Sequence, residues 1–403
     1  MFNFKAFIQG FKDEMKTVVS DHSVLLTVIA APLVYVFLMG SIYFYKEVNR
    51  IPFAVVDLDH THTTLELTRQ LAAHPAIRVV DMPTDARKAM NDLYDLKIQG
   101  FVVFPKGFEK HLLKGEGGDV KLYLNNNRFL PSNDLNRAVN TVFMTVGSGI
   151  RLHYFAAKGL NPKYAMQLIN PVMADVHGIY NPTNNYGDFL LPGLLFLILQ
   201  QTLLIGLAES FVRSREKGRL KQILSQDTTG IFSYFSGRTG YYLLLYTGYI
   251  LLYFGIIFRF FDLPIRGDKT AMYGISILFI LVVAVYTLLI ASFSKKQIRI
   301  MEVLAFTSYP LFLLSGYSWP VSAMPLPLQW LSAIIPTTPM LDAVTKLFAE
   351  GSGWLAVAGD IKQLLIMLCM SLVLLFWRLA VLKNQLGTDT VMNKEAIPLK
   401  TAG

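Results

Sequence analysis

Four ligand-type side chains, Asp57, Asp59, His60 and His62, fall within one six-residue stretch. Carboxylate oxygens and imidazole nitrogens bind zinc, but a closed site takes four such ligands at fixed spacing, usually from two separated pairs. No second cluster completes the set. The aspartates therefore read as caps of a strand-to-helix turn and the histidines as exposed, and no metal is assigned. No Ser/His/Asp or Cys/His constellation has supporting context. The single cysteine, Cys369, lies in an apolar run and can form no intramolecular disulfide. Gly-Lys-Ser and Gly-Lys-Thr do not occur, so the phosphate-cradling loop of the common ATPases is absent. The chain is expected to be no enzyme and to carry no cofactor of its own.

A second group is dense in charge: Glu209-Ser-Phe-Val-Arg-Ser-Arg-Glu-Lys-Gly-Arg-Leu-Lys-Gln-Ile-Leu224. Arg213, Arg215, Glu216 and Lys217 supply charge, while Phe211, Leu220, Ile223 and Leu224 offer apolar contacts. Gly218 breaks the run where a backbone turn would need it. A solvated loop and a short helix docking a cytoplasmic protein both fit, and the residues alone leave both open.

The elements that carry these groups are mostly apolar. Of 403 residues, 53% are hydrophobic and 16% charged, against about 25% charged in soluble domains. This is the composition of an integral membrane protein. The net charge of +9 reflects Lys and Arg beside apolar spans, where they set orientation, and no nucleic-acid partner is expected. Residues 1–22 form an amphipathic cytoplasmic interface helix. Phe4, Phe7, Ile8, Phe11, Met15, Val18 and Val19 are assigned to one apolar face suited to the headgroup region; an elbow and a partner-contacting role both fit. Residues 23–45 hold the first transmembrane helix, too long for a cleaved signal. From 46 to 186 the chain reads as a mixed α/β domain. Strands are expected at 53–57, 77–81, 100–104 and 120–124, opened by the turn at 115–118, with helices at 63–73 and 84–94. Helices at 132–158 and 161–175 form a stalk. Residues 187–382 carry five more helices, at 189–208, 239–258, 270–294, 303–318 and 363–382, with a cytoplasmic tail at 383–403.

One run does not fit a simple span. Residues 303–341 hold no charge over 39 residues, whereas one crossing needs about 20. Prolines at 310, 320, 325, 327, 336 and 339 break it too often for two crossings. A span followed by a re-entrant segment at 319–341 fits better, and broken backbone at membrane depth belongs where it is buried or lines a cavity. Basic residues support this. With the N-terminus inside, sixteen Lys and Arg fall in cytoplasmic segments and five in short outer ones. A second crossing would put Arg378, Lys383, Lys394 and Lys400 outside. The expected fold is a polytopic α-helical membrane protein with six transmembrane helices, an extracytoplasmic re-entrant segment and a mixed α/β extracytoplasmic domain. The spans lack Asp, Glu, Lys and His at their centres, so no internal energy source is visible.

The chain resembles the permease subunit of type-2 ABC exporters, in the subfamily with a large extracytoplasmic domain after the first span. The resemblance runs over essentially the whole chain. It rests on Ile51-Pro-Phe-Ala-Val-Val-Asp-Leu-Asp59, Gly100-Phe-Val-Val-Phe-Pro-Lys-Gly-Phe-Glu109, Tyr180-Asn-Pro182, Leu191-Pro-Gly193 and Gly316-Tyr-Ser-Trp-Pro320 with Met324-Pro325 and Pro336. It implies a coupling helix over 211–226 seated in a groove of an ATPase, with Arg213, Arg215, Glu216, Lys217, Gly218, Leu220, Ile223 and Leu224 as its residues. The family usually has Glu-x-Glu-x-Gly-Thr there; this chain has Arg215-Glu216-Lys217-Gly218-Arg219. The resemblance further implies two copies of a cytoplasmic ABC ATPase holding ATP and Mg, and a second permease copy or paralogue. It places an outer gate at Gly316, Trp319, Pro320, Met324, Pro325, Trp330 and Pro336. A membrane-fusion adaptor is the partner to which the outer domain could dock, membrane lipids surround the spans, and the bacterial inner membrane is the location. The implied cargo is a drug, lipid or lipid-linked glycan. A non-transporting receptor or assembly factor and an ion-driven carrier are the alternatives.

Overall fold

The computed structural model describes residues 2–44, 49–114, 118–161, 180, 186–263 and 265–395. The chain divides into two units, residues 1–46 with 178–403, and residues 47–177. The helix expected at 161–175, the turn at 115–118 and the Tyr180-Asn-Pro182 return lie largely outside the described residues.

The smaller unit is a four-stranded sheet in the order β2-β1-β3-β4. Strands β1 (Ile51–Asp57), β2 (Ile77–Asp81) and β3 (Gly100–Phe104) are parallel, and β4 (Lys121–Leu124) is antiparallel to β3. Side chains alternate between faces along a strand. Phe53, Val55, Val102 and Phe104 therefore pack with Leu67 and Leu71 of α3 (His62–Ala73) and Leu135 and Val139 of α6 (Phe129–Ala157). Ala54, Val56, Phe101 and Val103 pack on the other face with Ala89 of α4 (Ala86–Tyr94). Helix α5 (Phe108–Lys114) follows β3.

Among the described residues, the larger unit holds six helices long and apolar enough to cross a membrane: α2 (His22–Ile42), α7 (Tyr186–Glu216), α9 (Thr228–Phe260), α10 (Lys269–Ser292), α11 (Gln297–Leu314) and the Ala358–Gln385 part of α14 (Ala358–Glu395). Helix α7 is the most enclosed and α11 the least. The chain is thus a polytopic helical membrane protein. The fifth span begins at Gln297 rather than 303 and includes Arg299 and Glu302, since charges near a helix end reach the polar interface at little cost.

The amphipathic helix α1 (Phe4–Ser20) leaves most of the apolar face assigned to the headgroup region outward and turns its small residues inward. Ala6, Gly10, Glu14 and Val18 are buried, whereas Phe4, Ile8, Met15 and Val19 are exposed and Phe7 and Phe11 half-buried. Helix α1 lies along α9, where a Cβ on Gly10 would strike the Tyr234 carbonyl and one on Gly237 the Phe7 carbonyl. Small residues let the two backbones meet. Where both lipid and protein are apolar, a greasy face does not mark the protein side.

The single coupling helix expected over 211–226 is two pieces. Phe211–Glu216 completes α7, Gly218 turns at φ +72, and α8 (Arg219–Leu224) starts anew. The segment at 319–341 contains a short 3-10 turn (Val321–Ala323), α12 (Leu326–Ala333) and α13 (Thr337–Val344), which runs on through a π-turn to Ala349.

Candidate functional site

The Asp57–His62 cluster is an interlocked turn. Asp57 Oδ1 accepts the N–H groups of Asp59 and His60, each at 2.9 Å, and its Oδ2 accepts the Thr64 hydroxyl at 2.7 Å. Asp59 accepts the N–H groups of Gly107 (2.6 Å) and Glu109 (2.9 Å), and Glu109 in turn accepts that of Thr63 (3.2 Å). Each carboxylate thus sits at the start of the other loop's helix, where its charge faces the positive helix end. Partial burial raises the Asp59 pKa, but the hydrogen bonds from Glu109, Gly107, Thr61 and Phe108 outweigh it and hold the carboxyl below its ordinary range. His60 and His62 are exposed.

The charged segment is anchored from within. In α8, Leu220, Ile223 and Leu224 are buried in the main core, while Lys217, Gly218, Arg219, Lys221 and Gln222 are exposed. Arg213 forms an ion pair with Asp21, which caps the start of α2. Arg215 Nη1 donates to the carbonyls of Ser292 (3.0 Å) and Ser294 (2.8 Å), and Glu216 Oε1 accepts the Gln297 N–H at 3.0 Å. Arg213, Arg215 and Glu216, expected to meet a partner, thus each make an internal contact as well, Glu216 from an exposed position.

Sequence reasoning missed a buried ion pair. Arg238, counted among the cytoplasmic basic residues, lies inside α9 and is 1% exposed. Its Nε is 2.7 Å from Oε2 of Glu14, itself 1% exposed. Tyr242 donates to Glu14 Oε1 at 2.9 Å, and Arg238 Nη2 donates to the Ser210 hydroxyl at 2.9 Å. The stripe continues down α9. Tyr246 meets the Thr202 hydroxyl at 3.0 Å, Tyr249 donates to the carbonyls of Val28 and Ile29, and Tyr253 to that of Pro32. Pro32 has no N–H to give the Val28 carbonyl one turn back, and a π-turn over Leu26–Ala30 loosens the same stretch. The Tyr249 hydroxyl satisfies what the proline leaves open, as a span in lipid requires. The spacing of Tyr242, Tyr246, Tyr249 and Tyr253 was the legible signal of this stripe.

The segment after α11 meets the start of α7. Gly316 turns at φ +86. The Tyr317 ring stacks on Phe189 at 5.1 Å, its hydroxyl bonds the Phe189 carbonyl, and Gly193 leaves room for the ring. Tyr317, Pro320 and Gln329 line a cavity of about 580 Å³ with Asp342 and Asp360. Lys346 bridges Asp342 (2.6 Å) and Asp360 (2.8 Å). Pro336 lines a second, apolar cavity of about 320 Å³ with Gln200, Leu204, Tyr286, Leu304 and Pro310, and Thr337 fixes Gln200 by a 2.6 Å hydrogen bond. Trp319 and Trp330 are exposed, and Met324 holds Gln329 through its carbonyl. Pro325 starts α12 as its N-terminal flank.

Six apolar spans, a buried polar stripe between them and cavities beside the broken segment define a membrane transport subunit. The profile of the ABC-2 family transporter protein matches residues 22–381, and the chain belongs to that family. It is 25% identical over 321 residues to the probable multidrug ABC transporter permease YbhR of Escherichia coli (strain K12), covering 79% of this chain and 83% of that protein. It is 21% identical over 345 residues to the probable multidrug ABC transporter permease YbhS of the same strain, covering 84% and 87%. A shorter match, 33% identical over 91 residues and 23% of each chain, joins it to the linearmycin resistance permease protein LnrN of Bacillus subtilis (strain 168). The chain is the transmembrane subunit of an ABC exporter, and membership implies an ATPase partner and paired permeases.

Proposed function

We propose that this permease moves a hydrophobic or amphipathic molecule (drug, lipid or lipid-linked glycan) out of the cytoplasm or inner leaflet of a bacterial inner membrane. Two copies of a cytoplasmic ABC ATPase, holding ATP and Mg, drive it through α8. The observation that carries this reading is the form of α8, with Leu220, Ile223 and Leu224 seated in the core and Lys217, Arg219 and Lys221 facing out behind the Gly218 turn. The basic surface supports a cytoplasmic side for α8 and both termini. The 47–177 unit and the segment after α11 are then extracytoplasmic, the first available to a membrane-fusion adaptor, the second a re-entrant outer gate. The exposed face of α11, with Val303, Phe306 and Tyr309, offers an apolar surface to a second permease copy. The apolar cavity below Pro336 offers a path suited to a greasy cargo. The relatives' names, multidrug and linearmycin resistance, favour a drug-like one. The exposed Phe4, with Phe7 and Phe11, seats α1 among membrane lipids.

The test is co-purification of the full chain with its ATPase. Arg219→Glu with Lys221→Glu is expected to abolish association while the permease still inserts. Retention of the ATPase by that double variant would remove the α8 assignment.

A further inference from the structure

The loop between α10 and α11 is gripped at both ends by one stretch of α7. At its start, the Ser292 carbonyl accepts Arg215 Nη1 (3.0 Å) and Arg378 Nη2 (3.4 Å), and the Ser294 carbonyl accepts Arg215 Nη1 (2.8 Å). Two guanidinium groups thus face the negative end of α10. At its close, the Gln297 N–H donates to Glu216 (3.0 Å) and the Gln297 side chain to the buried Glu209 (2.7 Å). Two carboxylates thus face the positive end of α11. The signs match the helix ends on both sides of the loop.

What the grip holds matters. Helix α11 fully buries only Ile300 and Leu304; Met301, Thr307, Ser308, Leu311 and Leu314 are half-buried on the side that packs along α7, and the other side is exposed. Its 18 residues span about 27 Å at the usual rise, and its other end runs directly into Gly316 and the segment carrying Trp319 and Trp330. On the near side, Glu216 is separated from α8 by Lys217 and Gly218 alone.

We infer that Glu209, Arg215 and Glu216 are positioning residues that carry a displacement of α8 into α11 and so to the outer gate. They do not touch the ATPase. This rests on the reading of α8 as the ATPase seat. The exposed basic residues of α8 receive the ATPase, Gly218 sets the angle, and the end of α7 passes the movement to the start of α11. A span held at its start by polar contacts, and packed on one side only, can tilt or slide along α7 when that start is moved.

The experiment uses the full chain with its ATPase subunits in lipid nanodiscs, in a Cys369→Ala background. Spin labels are placed by Gln222→Cys on α8 and Leu328→Cys on α12, and their separation is measured with and without ATP plus vanadate. Without further change, ATP trapping is expected to shift the distance distribution. Glu216→Ala, and separately Gln297→Ala, should keep the ATPase bound and hydrolysing, yet cut the shifted population at least about fivefold, the scale of an allosteric coupling term. Glu216→Gln, which keeps an acceptor for the Gln297 N–H, should restore the shift. An undiminished shift in both alanine variants overturns the inference. So does loss of ATPase binding in both Glu216→Ala and Glu216→Gln, which would make Glu216 a docking residue. Arg219→Glu with Lys221→Glu separates the two readings. If the ATPase stays bound there, the seat on α8 is wrong, and with it the origin of the movement.

Discussion

The Glu14–Arg238 pair sets the largest single cost that can be worked from this structure. Both groups are 1% exposed and 2.7 Å apart. Arg238→Met fills similar volume but leaves the Glu14 carboxylate with the Tyr242 hydroxyl alone. Removing one member of a buried pair costs about 3–5 kcal/mol, because the other charge stays without compensation. Glu14→Leu should cost about as much, since it leaves a buried guanidinium with the Ser210 hydroxyl and the Phe211 ring but no counter-charge. The double variant strands neither charge, and a well-packed apolar replacement is often close to neutral. The two single costs would sum to about 6–10 kcal/mol, so a double variant within about 2 kcal/mol of the parent implies a coupling of at least about 4 kcal/mol. Unfolding in mixed micelles by titrated dodecyl sulfate, followed by circular dichroism, measures all four corners of the cycle. Additive losses, or single variants as stable as the parent, would show that the pair is not the buried, mutually dependent contact described here.

Two further outcomes are expected. Tyr249→Phe removes the donor to the Val28 and Ile29 carbonyls and should lower stability in the same titration by about 1–3 kcal/mol, the cost of a buried acceptor left open; no change would mean that another group satisfies them. Asp59 has a lowered folded pKa, so it adds stability above the ordinary carboxylate value of about 3.9 and loses it as pH falls through the lower folded value. Asp59→Asn should therefore flatten the acid-induced loss of the circular dichroism signal below about pH 4, and an unaltered acid limb would count against the assigned contacts.

The six spans were legible because length and apolarity are local properties, and a crossing needs both. The sheet strands at 77–81 and 100–104 were legible for a related reason, since short β-branched runs between turns have few other uses. The seat of α1 on α9 was not. The Phe4 face is the more apolar, but Gly10 and Gly237 permit close approach and Glu14 has a partner on α9, and these decide which side meets protein. That partner is 224 residues away in sequence (238 − 14), beyond any periodicity. The charged stretch after α7 was legible as a feature but not in its division of labour. Arg215 and Glu216 look as available as Lys217 and Arg219 until the α10–α11 loop is folded beside them.

The long reach of the Glu14 contact also bears on biogenesis. Tyr242 follows Glu14 by 228 residues, which at ordinary synthesis rates of about 5–20 residues per second is a wait of about 10–45 s. During that time α1 has neither its glycine groove nor its counter-charge. Its exposed phenylalanines can rest on lipid, but its acidic side must stay wetted until the third span inserts. Closure of this contact therefore reports that the first half of the membrane bundle has assembled in order, and a nascent chain stalled before Arg238 would leave Glu14 without its counter-charge.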